Sequence, residues 1–149
     1  MSILTCFFLA LIPYAASITF NFTNITPLNS LDIKYEGDAA CTSDAGIQLT
    51  KESNSEGSAG RATYAKRLHL WDRSSSYLAS FSTRFSFVIE SSMSAGYADG
   101  LTFFLAEDKY SINYGGAMGL PFDVAANESR YPFVAVEFDT YCNYEWDPC

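Results

Sequence analysis

Alternation of apolar and polar side chains with a period of two residues constrains this chain more than any other feature. The clearest case is a face of alternate side chains made by Phe81, Thr83, Phe85, Phe87 and Ile89. Polar residues occupy the positions between them, apart from Val88. Such alternation is typical of an antiparallel strand with one face in solvent. Because no segment has a sustained apolar period of 3.6 residues, the pattern predicts strands and almost no helix.

Three further segments are predicted strands. The segment 61–71 alternates loosely, whereas 101–106 and 132–140 are apolar enough to predict buried strands. Turn-forming clusters separate the strands, at residues 53–60, 91–96 and 113–116. Regularly spaced short strands without helices predict an all-β fold, a sandwich or a jelly roll.

Length and charge limit the function classes. The chain has 149 residues, which is the size of one domain, and its apolar fraction of 48% excludes intrinsic disorder. Its 17 acidic and 9 basic side chains give a formal charge of −8. We therefore expect no nucleic-acid partner, because such binding needs a basic surface facing the phosphates.

The first residues have the composition of a targeting segment. Residues 1–17 combine an apolar run with small residues at the end, which predicts a secretory signal peptide followed by one domain over 18–149. The run is shorter than the ~20 residues that cross a bilayer, so we expect no membrane insertion.

Sequons and cysteines agree with secretion. The predicted N-glycosylation sites are Asn21, Asn24 and Asn127. Beyond the leader the cysteines are Cys41, Cys142 and Cys149, and their pairing is open. An odd number leaves at least one thiol free or bonded to another molecule.

Two carboxylates lie close together near the C-terminal end of the sequence. In an extended strand, Val134, Val136 and Phe138 share one face, which we expect to enter a core, while Glu137 and Asp139 share the other. Neighbouring carboxylates repel one another unless a proton, a basic group or a cation neutralises them. The residues 137–149 contain no Lys or Arg.

The residues that follow add oxygen donors. Asn143 and Asp147 lie in a predicted turn, and with Glu137 and Asp139 they form a set that suits a hard cation such as Ca²⁺. Two solvated carboxylates at a strand end are the open alternative. An EF-hand is excluded, because the glycine, the final glutamate and the flanking helices of that motif are absent.

Eight stretches of the chain, taken in order, resemble the legume-type (L-type) lectin domain of plant lectins and lectin receptor kinases. These stretches are residues 18–22, 33–39, 46–51, 60–72, 78–89, 98–106, 115–120 and 134–148. The resemblance covers the chain beyond its leader and about the first half of the family domain. It implies an all-β, legume-lectin-like jelly-roll β-sandwich that is incomplete, with the C-terminal half of the family domain absent.

The resemblance also implies a site for Ca²⁺ and Mn²⁺. Glu137 would bind Mn²⁺, and Asp139 and Asp147 would bridge both metals. Asn143 through its side chain and Tyr141 through its carbonyl would bind Ca²⁺. The histidine that completes the Mn²⁺ shell in the family has no counterpart in these residues, so the Mn²⁺ site is expected to be incomplete.

The implied sugar site adds two loops. Asp99, which follows Ala98 across a peptide bond that is cis in the family, would accept hydrogen bonds from two sugar hydroxyls. Gly116 would donate its backbone N–H, Asn143 would donate its amide hydrogens, and the ring of Tyr141 would stack on the sugar.

The resemblance thus implies a non-enzymatic lectin that binds glycans or glycoproteins. It would be secreted, or lie on the outer face of the plasma membrane as part of a receptor kinase, with oligomerisation possible. One alternative is a non-binding, truncated lectin fragment. A remote alternative is a jelly-roll β-glucanase with Glu137 as nucleophile, but the position of its acid falls at Tyr141 or Cys142, neither of which is a carboxylic acid.

Overall fold

The computed structural model describes residues 18–26, 30–44, 46–51, 57–91, 97–107 and 109–144. The predicted leader over residues 1–17, the candidate metal ligand Asp147 and Cys149 lie outside these ranges. Within them the chain forms strands, two 3-10 helices and no α-helix, so the prediction of an all-β chain is confirmed. No helix in the described part is long and apolar enough to cross a membrane.

The described strands all form two-stranded antiparallel sheets. They are β1 (Ile33–Gly37), β2 (Ala40–Cys41), β3 (Ile47–Gln48), β4 (Gly60–Tyr64), β5 (Trp71–Asp72), β6 (Tyr77–Leu78), β7 (Gly100–Ala106), β8 (Phe122–Asp123), β9 (Glu128–Ser129) and β10 (Phe133–Asp139). The 3-10 helices are η1 (Ser30–Asp32) and η2 (Gly115–Ala117). The pairs are β1 with β4, β2 with β3, β5 with β6, β7 with β10, and β8 with β9.

The longest ladder joins β7 and β10. It runs from Phe133 opposite Ala106 to Asp139 opposite Gly100. Both strands are rich in the aromatic and β-branched residues that fit a pleated surface. The segments 101–106 and 132–140 are therefore confirmed as strands, but no residue of β7 or β10 is fully buried, so their predicted burial is wrong. The strand predicted over 61–71 is confirmed only at its ends, by β4 and by the start of β5.

The prediction of a strand over residues 81–89 is wrong in its hydrogen bonding, because this segment belongs to no ladder of the described residues. Its alternation nevertheless describes the packing. The ring of Phe85 stacks on Phe103 at 5.1 Å between centroids, and the ring of Phe87 lies 4.7 Å from that of Phe138. Side chains two residues apart thus pack on the same face of the β7–β10 ladder.

One face of β10 differs from the prediction. Phe138 packs as expected, but Val134 and Val136 are 67% and 55% exposed, so the expected burial of the two valines is wrong. The rings of Phe85 and Phe87 pack on Phe103 and Phe138, whereas the side chains of Val134 and Val136 on the same face stay in solvent.

The most buried charged side chain in the described part is Arg61 on β4, with 7% exposure. Its Nη2 lies 2.7 Å from Oε2 of Glu36 and donates a 3.0 Å hydrogen bond to the carbonyl of Tyr110. The guanidinium also lies 4.4 Å from the ring centroid of Tyr110. These contacts compensate the loss of hydration, and they fix the segment that leads to η2 against the β1–β4 ladder.

Candidate functional site

The ends of β7 and β10 bring together the two segments that the sequence singled out. Asp139 pairs with Gly100, the residue after Asp99. The backbone N–H of Thr140 donates a 3.0 Å hydrogen bond to the carbonyl of Asp99. The Ala98–Asp99 peptide bond is cis, as the resemblance implied.

Gly100 allows the two segments to approach. A Cβ atom at this position would lie 2.4 Å from the carbonyl oxygen of Phe138, and the φ of Gly100 is +142°. Any other residue would therefore clash with β10 and adopt an unfavourable backbone conformation. The glycine keeps Asp99 against the strand that carries the acidic residues.

The acidic residues of β10 lie at its exposed end. Glu137 is opposite Thr102 in the ladder, and Asp139 is opposite Gly100. Burial raises the pKa of the Asp99 carboxyl above its ordinary value, and the nearby Asp139 carboxylate raises it further. A cation or hydrogen-bond donors at this place would oppose that repulsion.

The residues after β10 fold back onto it. The backbone N–H of Tyr141 donates a 2.8 Å hydrogen bond to Oδ1 of Asp139. Nδ2 of Asn143 lies 3.4 Å from the carbonyl oxygen of Tyr141, at the long end of hydrogen-bond distances. The ring of Tyr141 is 51% exposed. The structure thus places Asp139, Tyr141 and Asn143 beside one another.

Gly116 lies in η2, on a loop that leans against the start of β7. Oγ1 of Thr102 donates a 3.1 Å hydrogen bond to the carbonyl of Met118, two residues beyond Gly116. A Cβ added to Gly100 would lie 3.2 Å from Sδ of Met118. The loop of Gly116 and the loop of Asp99 therefore meet at Met118.

Sequence reasoning missed two residues that organise this region, Thr102 and Asn113. Nδ2 of Asn113 donates 3.1 Å hydrogen bonds to the carbonyls of Leu120 and Phe122. Thr102 sits on the strand face of Glu137, a position that the period of two assigns. Asn113 carries no comparable signal, because an asparagine two residues before a pair of glycines is typical of any turn.

Asp147 lies outside the described residues, so its place relative to Glu137 and Asp139 stays a prediction. Among the residues that are described, no group of three or more His, Cys, Asp or Glu side chains is arranged to hold a metal ion. The candidate ligands that the structure brings together are therefore Asp139, Tyr141 and Asn143.

The sequons and cysteines are also located. Asn21, Asn24 and Asn127 are exposed, and Asn127 has a φ of +51° in the turn between β8 and β9. Cys142 is disulfide-bonded, whereas Cys41 is a free thiol, in line with the expectation of at least one unpaired cysteine.

The described residues form an all-β protein in which the acidic end of an antiparallel ladder meets a loop with a cis Ala98–Asp99 peptide bond. The legume lectin domain profile matches residues 17–149. The chain belongs to the legume lectin family. Agglutinin-2 of Cladrastis kentukea is 44% identical over a 142-residue alignment that covers 89% of this chain and 48% of that protein.

Solved structures agree with this assignment. The crystal structure of basic winged bean lectin with Tn-antigen is 40% identical, with a TM-score of 0.77 over 89% of this chain and 55% of that one. Lectin UEA-II complexed with galactose is 36% identical, with a TM-score of 0.72 over 90% of this chain and 57% of that one. The all-β, legume-lectin-like jelly-roll fold is thereby confirmed. The chain spans about half the length of these relatives.

Legume lectins are non-enzymatic carbohydrate-binding proteins, so the expectation that this chain is not an enzyme is confirmed by its family. The β-glucanase alternative, with Glu137 as nucleophile, is correspondingly not supported.

Proposed function

We propose that this chain is a carbohydrate-binding lectin whose sugar recognition depends on Ca²⁺ and Mn²⁺. The observation that carries the proposal is the apposition of the Asp99 loop to the acidic end of β10, through the hydrogen bond from Thr140 and the close approach at Gly100. This arrangement holds a carboxylate and a set of oxygen donors next to one another at the rim of a sheet.

The donor set fits a hard cation. Asp99 and Asp139 raise each other's electrostatic energy, and no Lys or Arg forms an ion pair with either of them or with Glu137 in the described ranges. Asn143 and the carbonyl of Tyr141 would bind Ca²⁺, Glu137 would bind Mn²⁺, and Asp139 and Asp147 would be ligands of both ions. When bound, the ions would supply positive charge that neutralises these carboxylates and would hold the segment 139–143 in place.

The sugar would be recognised by complementary hydrogen bonds and one aromatic face. The Asp99 carboxylate would accept hydrogen bonds from two neighbouring hydroxyls, which are stronger than neutral ones because the acceptor is charged. The amide of Asn143 and the backbone N–H of Gly116 would donate to sugar oxygens. The exposed ring of Tyr141 would pack against the C–H face of the sugar.

The partners that follow from this function are glycans and glycoproteins outside the cell. Residues 1–17 would act as the signal peptide and residues 18–149 as part of a lectin domain. Exposure of Asn21, Asn24 and Asn127 supports N-glycosylation at all three sequons during secretion.

A glycan array tests the proposal. The chain is applied in buffer with Ca²⁺ and Mn²⁺, in the same buffer with excess EDTA, and as the Asp99→Asn variant. Galactose-terminated glycans and the Tn antigen are the first probes, because relatives have been solved with galactose and with Tn-antigen. We expect binding that EDTA and Asp99→Asn both remove. Absence of binding to every glycan in metal-replete buffer would overturn the proposal.

A second candidate function is that of a non-binding lectin fragment, which the exposure of Val134 and Val136 favours. An apolar sheet face in solvent promotes association rather than specific recognition. Circular dichroism during heating, together with size-exclusion chromatography, separates the two. A cooperative β-sheet transition in a monodisperse sample would support the folded lectin. A broad transition in an aggregated sample would support the non-binding fragment.

A further inference from the structure

The loop over residues 115–119 is closed by hydrogen bonds to the side chain and to the backbone of Asn113. The amide of Asn113 donates hydrogen bonds to the carbonyls of Leu120 and Phe122, each 3.1 Å long. The backbone N–H of Gly119 donates a 3.0 Å hydrogen bond to the carbonyl of Asn113. Asn113, two residues before the loop, is therefore bonded to the last residue of the loop and to residues that follow it.

A second side chain ties the middle of this loop to the ladder. The hydroxyl of Thr102 on β7 donates its 3.1 Å hydrogen bond to the carbonyl of Met118. Met118 adopts a φ of +45°, which turns the chain at the end of η2. Its sulfur lies over Gly100, next to Asp99. Thr102 thus connects the loop of Gly116 to the strand that begins at the Asp99 loop.

The loop needs such anchors because of its composition. Gly115 and Gly119 have φ values of +72° and +80°, and glycines lose more conformational freedom on ordering than other residues. Gly115 also has open space around the position of a Cβ atom, so packing does not hold it. The position of Gly116 therefore depends on the hydrogen bonds at either side of it and on the burial of the neighbouring Ala117.

We propose that Thr102 and Asn113 are positioning residues for sugar binding, which hold the backbone N–H of Gly116 at a fixed place relative to Asp99. This inference rests on the proposed lectin function and deepens it. It assigns the two residues to the sugar site alone, because neither contributes an atom to the set of metal ligands formed by Glu137, Asp139, Tyr141, Asn143 and Asp147.

A purely structural role makes a different prediction. Ala117, Leu120 and Pro121 are buried, so the same hydrogen bonds would then serve only to keep the loop packed, and their loss would lower stability without a specific effect on the sugar. The separation of sugar affinity from metal affinity and from the melting temperature distinguishes the two roles.

The sharpest test compares Thr102→Val with Thr102→Ser. Valine has the shape of threonine without the donor, and serine keeps the donor. Loss of one neutral hydrogen bond corresponds to about a fivefold loss of sugar affinity, at roughly 1 kcal/mol. We expect this for Thr102→Val, wild-type affinity for Thr102→Ser, and Ca²⁺ affinity unchanged in both. Asn113→Ala loses two hydrogen bonds, so we expect a loss of more than about tenfold.

Amide hydrogen exchange gives a readout that needs no sugar. We expect exchange at the amides of Met118 and Gly119, which donate to the carbonyls of Gly115 and Asn113, to be faster in Thr102→Val than in the wild type, with Thr102→Ser restoring it. Unchanged exchange, or sugar and Ca²⁺ affinities that fall together, would overturn the inference. If the wild type binds no glycan while the exchange rates shift as expected, the proposed function fails and the positioning of the loop by Thr102 stands.

Discussion

The backbone N–H of Thr140 donates a 3.0 Å hydrogen bond to the carbonyl oxygen of Asp99. It extends the β7–β10 register by one residue beyond the pairing of Asp139 with Gly100. Because the bond uses the main chain of Asp99, the side-chain carboxyl stays available for a ligand. The backbone of Asp99 thus holds the residue in position, while its side-chain carboxyl would bind the ligand.

That separation predicts the behaviour of Asp99→Asn. The variant keeps the carbonyl that Thr140 contacts, so we expect its melting temperature to match the wild type. It loses the charged acceptor, and 1.5–3 kcal/mol for a single hydrogen bond to a charged group corresponds to a fall in sugar affinity of about 10- to 150-fold. Titration calorimetry and a thermal melt measure both quantities. Asp44→Asn, at an exposed carboxyl of the turn between β2 and β3, is the control and should bind normally.

Gly100→Ala tests the close approach of the two segments. The added Cβ would lie 2.4 Å from the carbonyl of Phe138, so β10 must move or the Asp99 loop must detach. We expect a loss of unfolding free energy of about 2–4 kcal/mol, measured by urea titration. Gly57→Ala is the matched control, since its φ is +81° and nothing lies within 4 Å of the added atom. Equal losses in the two variants would contradict the account of the contact.

The ion pair between Asp38 and Lys51 predicts a pH dependence of stability. The hydrogen bond from Lys51, followed by that from Ser58, holds the pKa of Asp38 below its ordinary value of 3.8. Since the folded-state pKa is the lower one, this contribution to stability is present above pH 3.8 and disappears as the pH falls through the folded-state pKa. Urea unfolding midpoints at pH 5 and pH 2 should therefore differ less in Asp38→Asn than in the wild type. The same difference in both proteins would refute this assignment.

Because the apolar face of β10 is exposed, we expect polar substitutions on it to increase the solubility of the protein. Val134 and Val136 are more than half exposed, so their replacement by Thr should change the free energy of unfolding by less than about 0.5 kcal/mol each. We expect lower light scattering on concentration, because the apolar patch becomes smaller. Phe138→Ala on the same face is the contrast. It should destabilise the fold, since its ring packs against Phe85 and Phe87.

The sequence predicts the strands where local pattern and pairing agree. β7 and β10 are apolar, contain β-branched and aromatic residues, and pair with each other in an antiparallel ladder. The segment 81–89 has the clearest alternation of all, yet a ladder needs a neighbour of suitable register, which a period of two does not supply. What the alternation does predict there is the shared face of Phe85 and Phe87.

In the candidate site, too, some residues follow from local sequence pattern and others do not. The shared face of Glu137 and Asp139 follows from strand geometry. The role of Asp99 rests on family resemblance alone, because an aspartate before a glycine is also typical of a plain turn. The roles of Thr102 and Asn113 cannot be predicted from the sequence. Both side chains donate hydrogen bonds to backbone carbonyls that come within reach only in the folded chain.

The central claim, a metal-dependent sugar site at the end of the β7–β10 ladder, is tested most directly by amide chemical-shift mapping. The ¹⁵N-labelled chain is titrated with the preferred sugar of the array in the presence of Ca²⁺ and Zn²⁺, a diamagnetic substitute for Mn²⁺. We predict that the largest shifts fall on Asp99, Gly116, Tyr141 and Asn143, and that EDTA abolishes them. Shifts that cluster elsewhere, or that persist in EDTA, would contradict the account.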